Sequence, residues 1–148
     1  MAATAWAIYS NAKRYIGDGT FDLDAGSGSR YKVALMKSTY IPSVNDDAWT
    51  AISTHEITDG IAFGYISSGK VVTGNSYTVT GGVAKFAIDN PFWDAVGGNI
   101  QGIRHAVIYD TISGKLVCYS TLDSSDITIN DGTRLTIQIH ANGVFTNT

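Results

Sequence analysis

Apolar residues recur along much of this chain with a period of two, or run unbroken for four or five positions. The densest run spans residues 99–122. There, two arms rich in β-branched and aromatic residues (103–109 and 115–122) flank the polar segment 110–114, Asp-Thr-Ile-Ser-Gly. The pattern predicts a β-hairpin, with Asp110 and Ser113 as turn formers and Gly114 free to take a positive φ. Ala106, Val107, Ile108 and Tyr109 place apolar groups on both faces of the first arm, so the hairpin should be central and covered on both sides. Residues 30–38 form a further strand, with Tyr31, Val33 and Leu35 on one face and Lys32, Ala34 and Met36 on the other. The cleanest alternation is in 133–145, where Leu135, Ile137, Ile139 and Ala141 interleave with Thr136, Gln138, His140 and Asn142. Other expected strands are 20–24, 55–58, 69–73, 76–80, 83–88 and 127–129. Ala84, Phe86 and Ile88 share a face, a hairpin turns across Gly81-Gly82, and Asp131-Gly132 forms another turn.

A period near 3.6 appears only at the start. Trp6, Tyr9, Ala12 or Lys13, and Ile16 predict a short amphipathic helix within 1–17, stopped by Gly17. Such a helix is marginal alone and must dock on its own sheet or on a neighbour. Residues 25–29 read as a flexible turn. Residues 39–54 are an excursion in which Pro42 ends the strand and Asn45 or Asp46 caps one helical turn through Trp49 and Ile52. Residues 90–98 read as a connector carrying Phe92 and Trp93. The expected fold is all-β: one antiparallel β-sandwich or jelly-roll-like barrel over residues 1–148, with a helical arm at 1–17 and the β core at 18–148.

Composition agrees. The chain has 148 residues with 16 Gly, and its single acidic residue other than Asp is Glu56, against twelve Asp, which favours turns over helices. A length of 148 residues allows one core, burying roughly two-thirds of the unfolded surface. Charged residues make up 16%, below the common value of about a quarter. Either a Ser/Thr/Asn-rich surface or coverage by other protein accounts for that. The net charge is −3 and the ten Lys and Arg are scattered, so a phosphate-binding stripe is missing and nucleic acid is not an expected partner. With no long apolar run or charged leader, neither membrane insertion nor secretion by its own signal is expected.

The sequence carries fragments of chemical motifs but completes none of them. Residues 22–29 open like a calcium loop, but Gly26 and Val33 stand where oxygen ligands belong. The glycine pairs lack a phosphate loop's context, and His55-Glu56 lacks zinc-protease spacing. His55, His105 and His140 are far apart in sequence, although folding could bring His105 and His140 together. Cys118 reads as a buried small hydrophobe, and Arg104, a charge among apolar neighbours, as a strand-edge residue or a partner for an acid. No catalytic, cofactor or metal site is expected. Trp6, Tyr40, Trp49, Tyr65, Tyr77, Phe92 and Trp93 fall in loops or at element ends, where they pack the base of loops, anchor a partner or cradle a sugar.

Several stretches together resemble small virion structural proteins of tailed bacteriophages. They are 9–24 (around IGDGTFDLD), 32–42 (KVALMKSTYIP), 46–49, 55–64, 86–93, 103–110 (IRHAVIYD) and 135–145. Together they cover most of the chain, with a departure at ITDGIAFGY, where an insertion interrupts the pattern. The resemblance implies a capsid decoration (cement) protein or a head- or tail-associated accessory protein, located in the virion after synthesis in the bacterial host cytoplasm. Its implied partners are the major capsid protein or other virion proteins, and a homo-oligomer, a trimer in the first instance, is expected. A tail-, baseplate- or fibre-associated component and a carbohydrate-binding module are the alternatives. The expected partner-contact residues are Trp6, Tyr9, Tyr40 and Trp49, with segment 2–16 acting as a contact arm on an independently folded core.

Overall fold

The computed structural model describes residues 4–24 and 30–147. The turn expected at 25–29 and the start of the arm therefore lie outside the described residues. The elements are β1 (Ala7–Ile8), α1 (Ser10–Gly17), β2 (Tyr31–Met36), α2 (Trp49–Ile52), β3 (Lys70–Val71), β4 (Ser76–Thr80), β5 (Val83–Ala87), β6 (Phe92–Asp94), β7 (Ile100–Ile103), β8 (His105–Asp110), β9 (Leu116–Thr121), β10 (Ile127–Ile129), β11 (Arg134–Thr136) and β12 (Phe145–Asn147). Short 3-10 turns occupy Ser53–His55 and Ile61–Phe63. The chain is mostly β with antiparallel sheets and two short helices. Instead of the expected sandwich or jelly-roll barrel, the described residues form several small sheets around one larger one, with no closed barrel.

The larger sheet has the order β1-β9-β8-β2-β3, so the predicted hairpin β8–β9 lies at its centre. Its turn rests on Asp110, which accepts hydrogen bonds from the Ile112 and Ser113 N–H groups and the Ser113 hydroxyl. Gly114 sits at φ +71°. Register sets the two faces. One carries Lys32, Ala34 and Met36 opposite Tyr109, Val107 and His105; the other carries Tyr31, Val33 and Leu35 opposite Asp110, Ile108 and Ala106. The residues of β8 are buried throughout, as expected for a strand covered on both sides. Each aliphatic side chain removed from water here contributes about 1.5–3 kcal/mol.

The first face is covered by the chain's own excursion. Tyr40 meets His105 edge-on at 5.8 Å, Trp49 stacks on Tyr109 at 4.3 Å, and Tyr9 lies 5.0 Å from Tyr119. The second face receives the small sheets. Phe86 of the sheet β12-β5-β4 stands 6.2 Å from Tyr31, and Phe21 fills beside it at 6.3 Å.

Local expectations divide. The hairpin at Gly81-Gly82 forms with φ of +59° and +80°. The arm differs: Ala7–Ile8 form β1, which pairs with β9, so among the described residues the helix begins only at Ser10. Gly17 is the last helical residue, and the left-handed stop is Gly19, φ +82°, after the C-cap Asp18. Segment 20–24 is not a strand, and 55–58 contributes only an isolated bridge, Met36 to Glu56. The α2 N-cap is Ala48, not Asn45 or Asp46; the Trp49 N–H donates to the Gly114 carbonyl instead. The connector 90–98 contains β6, the partner of β11. The run 133–145 keeps its inside-outside alternation only through Ile139, since Ala141 is exposed and 143–145 are buried in succession, and it holds regular pairing only to Thr136. Beyond it, β11 faces Pro91, which has no N–H to return. The Ile137 N–H reaches the Pro91 carbonyl and the Ile139 N–H turns to the Asn90 side chain.

Candidate contact surface

The four expected contact residues do not form one exposed patch. Tyr9 and Tyr40 are buried, at 0% and 3% exposure, and share a hydroxyl–hydroxyl bond of 2.7 Å. The Tyr40 hydroxyl donates to Asp46 Oδ2 at 2.8 Å, so its oxygen accepts from Tyr9. Burial raises the pKa of both phenols well above the ordinary value, which keeps them neutral donors. Asp46 also accepts from the Ser43 N–H at 3.0 Å, closing the turn. Next to it, Asp47 accepts from Lys115, Tyr15 and Asn11; the Lys115 bond is the main cause of a lowered Asp47 pKa.

These bonds explain the path of the excursion. It leaves β2 at the His105 end of the sheet, passes Ser10 through the Val44 carbonyl, and reaches the hairpin turn at Lys115 and Gly114. Residues 40–49 thus strap α1 to one face of the sheet. Trp49 is half-buried in the same strap, and the hydroxyl of its stacking partner Tyr109 donates to the Ser68 carbonyl. Burial pushes the Tyr109 pKa to about 12. Trp6 is half-buried at the opposite side, against the core.

The remaining candidates are scaffold in this geometry. Trp93 is 2% exposed, inside the core. Cys118 is fully buried, which raises its thiol pKa. His105 donates to or accepts from Thr121 at 3.0 Å; burial first, and the Arg104 charge second, lower its pKa. His140 lies on the exposed loop before β12, bonded to the Asn142 N–H, and does not join His105. Among the described residues no group of three or more His, Cys, Asp and Glu could hold a metal ion. Arg104 pairs with Asp126 at 2.8 Å, the acid partner expected for it. Glu56 accepts from the Tyr65 hydroxyl at 2.7 Å, whose oxygen accepts the Leu35 N–H at 3.1 Å. Burial raises the Glu56 pKa.

Comparison with protein-family models, curated proteins and solved structures finds no match.

The surface groups suited to contact are aliphatic side chains that sequence reading passed over. Ile41 is 84% exposed, Ile112 74% and Val96 69%. Ile41 starts the strap and Ile112 tips the central hairpin, so they mark opposite ends of the sheet. Each is a large apolar residue beside turn-forming Pro, Asp, Ser or Gly. That context was the available signal, since an apolar residue in a turn has no strand face to bury it.

Proposed function

We propose that this chain is a structural component of a bacteriophage particle: a capsid decoration protein that binds the outer shell and stabilises it by contacts between neighbouring capsid subunits. The observation that carries this reading is the sequence resemblance from residue 9 to residue 145, which spans both the strap and the central hairpin. Two physical features support it. The strap is held by part-buried phenol–carboxylate bonds, a rigid mount of the kind that loses little entropy on docking. Exposed aliphatics at loop tips supply modest contacts that symmetry multiplies across a shell. The major capsid protein is the partner and a homo-oligomer, a trimer first, is the assembly on this reading. Contact through Trp6 and Trp49 uses their exposed parts, while Tyr9 and Tyr40 act by holding the strap in place.

Quantitative mass spectrometry of purified virions tests it. Hundreds of copies per particle, with loss of shell resistance to heat when the gene is deleted, support decoration. A few to some dozens of copies point to the tail, baseplate or fibre instead. Absence from particles overturns the virion reading.

A further inference from the structure

β1 and β12 are both terminal strands of their sheets, and a groove of about 490 Å³ runs between them. Its walls include Trp6, Ile8 and Lys13 on one side and His140, Phe145 and Thr146 on the other.

Among the described residues, the edge of β1 facing away from β9 is taken just beyond the strand at Ser10, whose N–H donates to the Val44 carbonyl, and is open at Trp6 and Ile8. The Tyr9 N–H donates to the Val117 carbonyl, and Ala7 pairs with Tyr119. Hydrogen-bonded pairs alternate along an antiparallel ladder, so Tyr9 and Ala7 turn their backbone groups toward β9. Ile8, opposite Cys118, and Trp6 before it therefore turn theirs outward. Their half-buried side chains meet the same groove. The site offers backbone donors and acceptors together with apolar side-chain contact, which is what an added strand requires.

Charge narrows the occupant. The chain carries thirteen Asp and Glu against ten Lys and Arg, yet among the described residues no Asp or Glu side chain lines this groove. An adjoining depression shares Asn142 and Thr146 and adds Lys85, again with no Asp or Glu side chain among the described residues. Among the described residues Lys85 Nζ bonds the Ala141 carbonyl, at 3.4 Å, and no carboxylate, and so keeps its charge available.

We infer that the groove between β1 and β12 binds an extended acidic segment of another protein by strand addition to β1. The inference is independent of the virion reading, because it rests on edge geometry and charge alone.

The test uses the full chain, labelled with nitrogen-15, and a blocked octapeptide of alternating Asp and Val, with the Lys-Val octapeptide as control. The Asp-Val peptide should shift the Trp6, Ile8 and Thr146 amides, and the control should not. Lys13→Glu should weaken binding on the order of ten-fold, because attraction gives way to repulsion of similar size. Ile8→Pro removes an outward N–H that β9 does not use and should abolish the shifts, while amides of β8 keep their native positions. Equal response to both peptides, shifts located elsewhere, or no binding of the Asp-Val peptide overturns the inference. A dimer seen by light scattering that Ile8→Pro dissolves would make a second copy the occupant and would equally overturn it.

Discussion

Asp110 offers the sharpest test of how the central hairpin is held. Its carboxylate is fully buried and accepts from Arg30 Nε at 2.9 Å and Nη2 at 3.0 Å, from the Ser113 hydroxyl at 2.7 Å, and from the Ile112 and Ser113 N–H groups at 3.1 and 3.2 Å. Asp110→Asn keeps the shape, removes the charge, and turns an NH2 toward groups that are all donors. Removing one partner of a buried ion pair costs about 3–5 kcal/mol. The Arg30 side chain retains 14% exposure, so water relieves part of its isolation and the low end, about 3 kcal/mol, applies. For a chain of this size that corresponds to a Tm lower by roughly 6–12 °C. Urea unfolding should show a lower midpoint with an unchanged slope. The pH dependence has a definite sign. Burial by itself would raise the Asp110 pKa, but bonds from Arg30, Ser113 and the Ile112 N–H outweigh it and the pKa is lowered. The stabilisation is therefore present above the unfolded carboxylate's pKa of about 4 and is lost as pH falls through the folded value. The gap between wild type and Asp110→Asn should close on acidification from neutral pH. A loss under about 1 kcal/mol at pH 7, or a gap independent of pH, would refute the reasoning.

Other consequences follow from single residues. Glu56 has a raised pKa, caused first by burial, so its native interactions favour the protonated form, and stability is lost as pH rises through the folded value. Glu56→Gln should accordingly be neutral or stabilising at pH 7, with its Tm advantage over wild type vanishing in acid; a large loss at pH 7 would show that the anion is needed. Gly143 and Gly82 have nearly equal φ, +83° and +80°, but a Cβ at Gly143 would stand 2.3 Å from the Phe86 carbonyl oxygen, whereas at Gly82 it meets nothing within 4 Å. Gly82→Ala should cost about 1 kcal/mol and Gly143→Ala at least twice that in denaturant titrations. Equal costs would mean that the backbone at Gly143 moves freely. Cys118 should resist a disulfide-exchange reagent in the native chain and react fully in guanidinium, since burial keeps the thiol protonated and unreachable. Rapid native reaction would contradict the packing of β9.

Much of the β framework was legible from the chain alone. The hairpin β8–β9, strand β2, and the β4–β5 turn at Gly81-Gly82 appear where the pattern placed them. Period, turn chemistry and glycine tolerance are local properties, encoded within a few residues of where they act. What failed was also physical. The apolar spacing in 1–17 suits a helix, but Ala7 and Ile8 gain more by completing the edge of the large sheet than a marginal helix would provide. The ladder of β11 stops because its partner strand begins just after Pro91, which no pattern within 133–145 reveals.

The contact residues illustrate the same division. Aromatics in a loop are equally suited to a partner and to the chain's own core. Only the tertiary path of residues 40–49 brings Tyr40 onto Tyr9 and Trp49 onto Tyr109, across gaps of 31 and 60 positions. The groove between β1 and β12 is likewise invisible in sequence, because its walls come from opposite ends of the chain. The amino-acid order by itself determines which segments extend, where they turn and which faces are apolar. Which edges stay open, and which aromatics are used up inside, depends on long-range pairing, where the free energy is set by neighbours that the local pattern does not name.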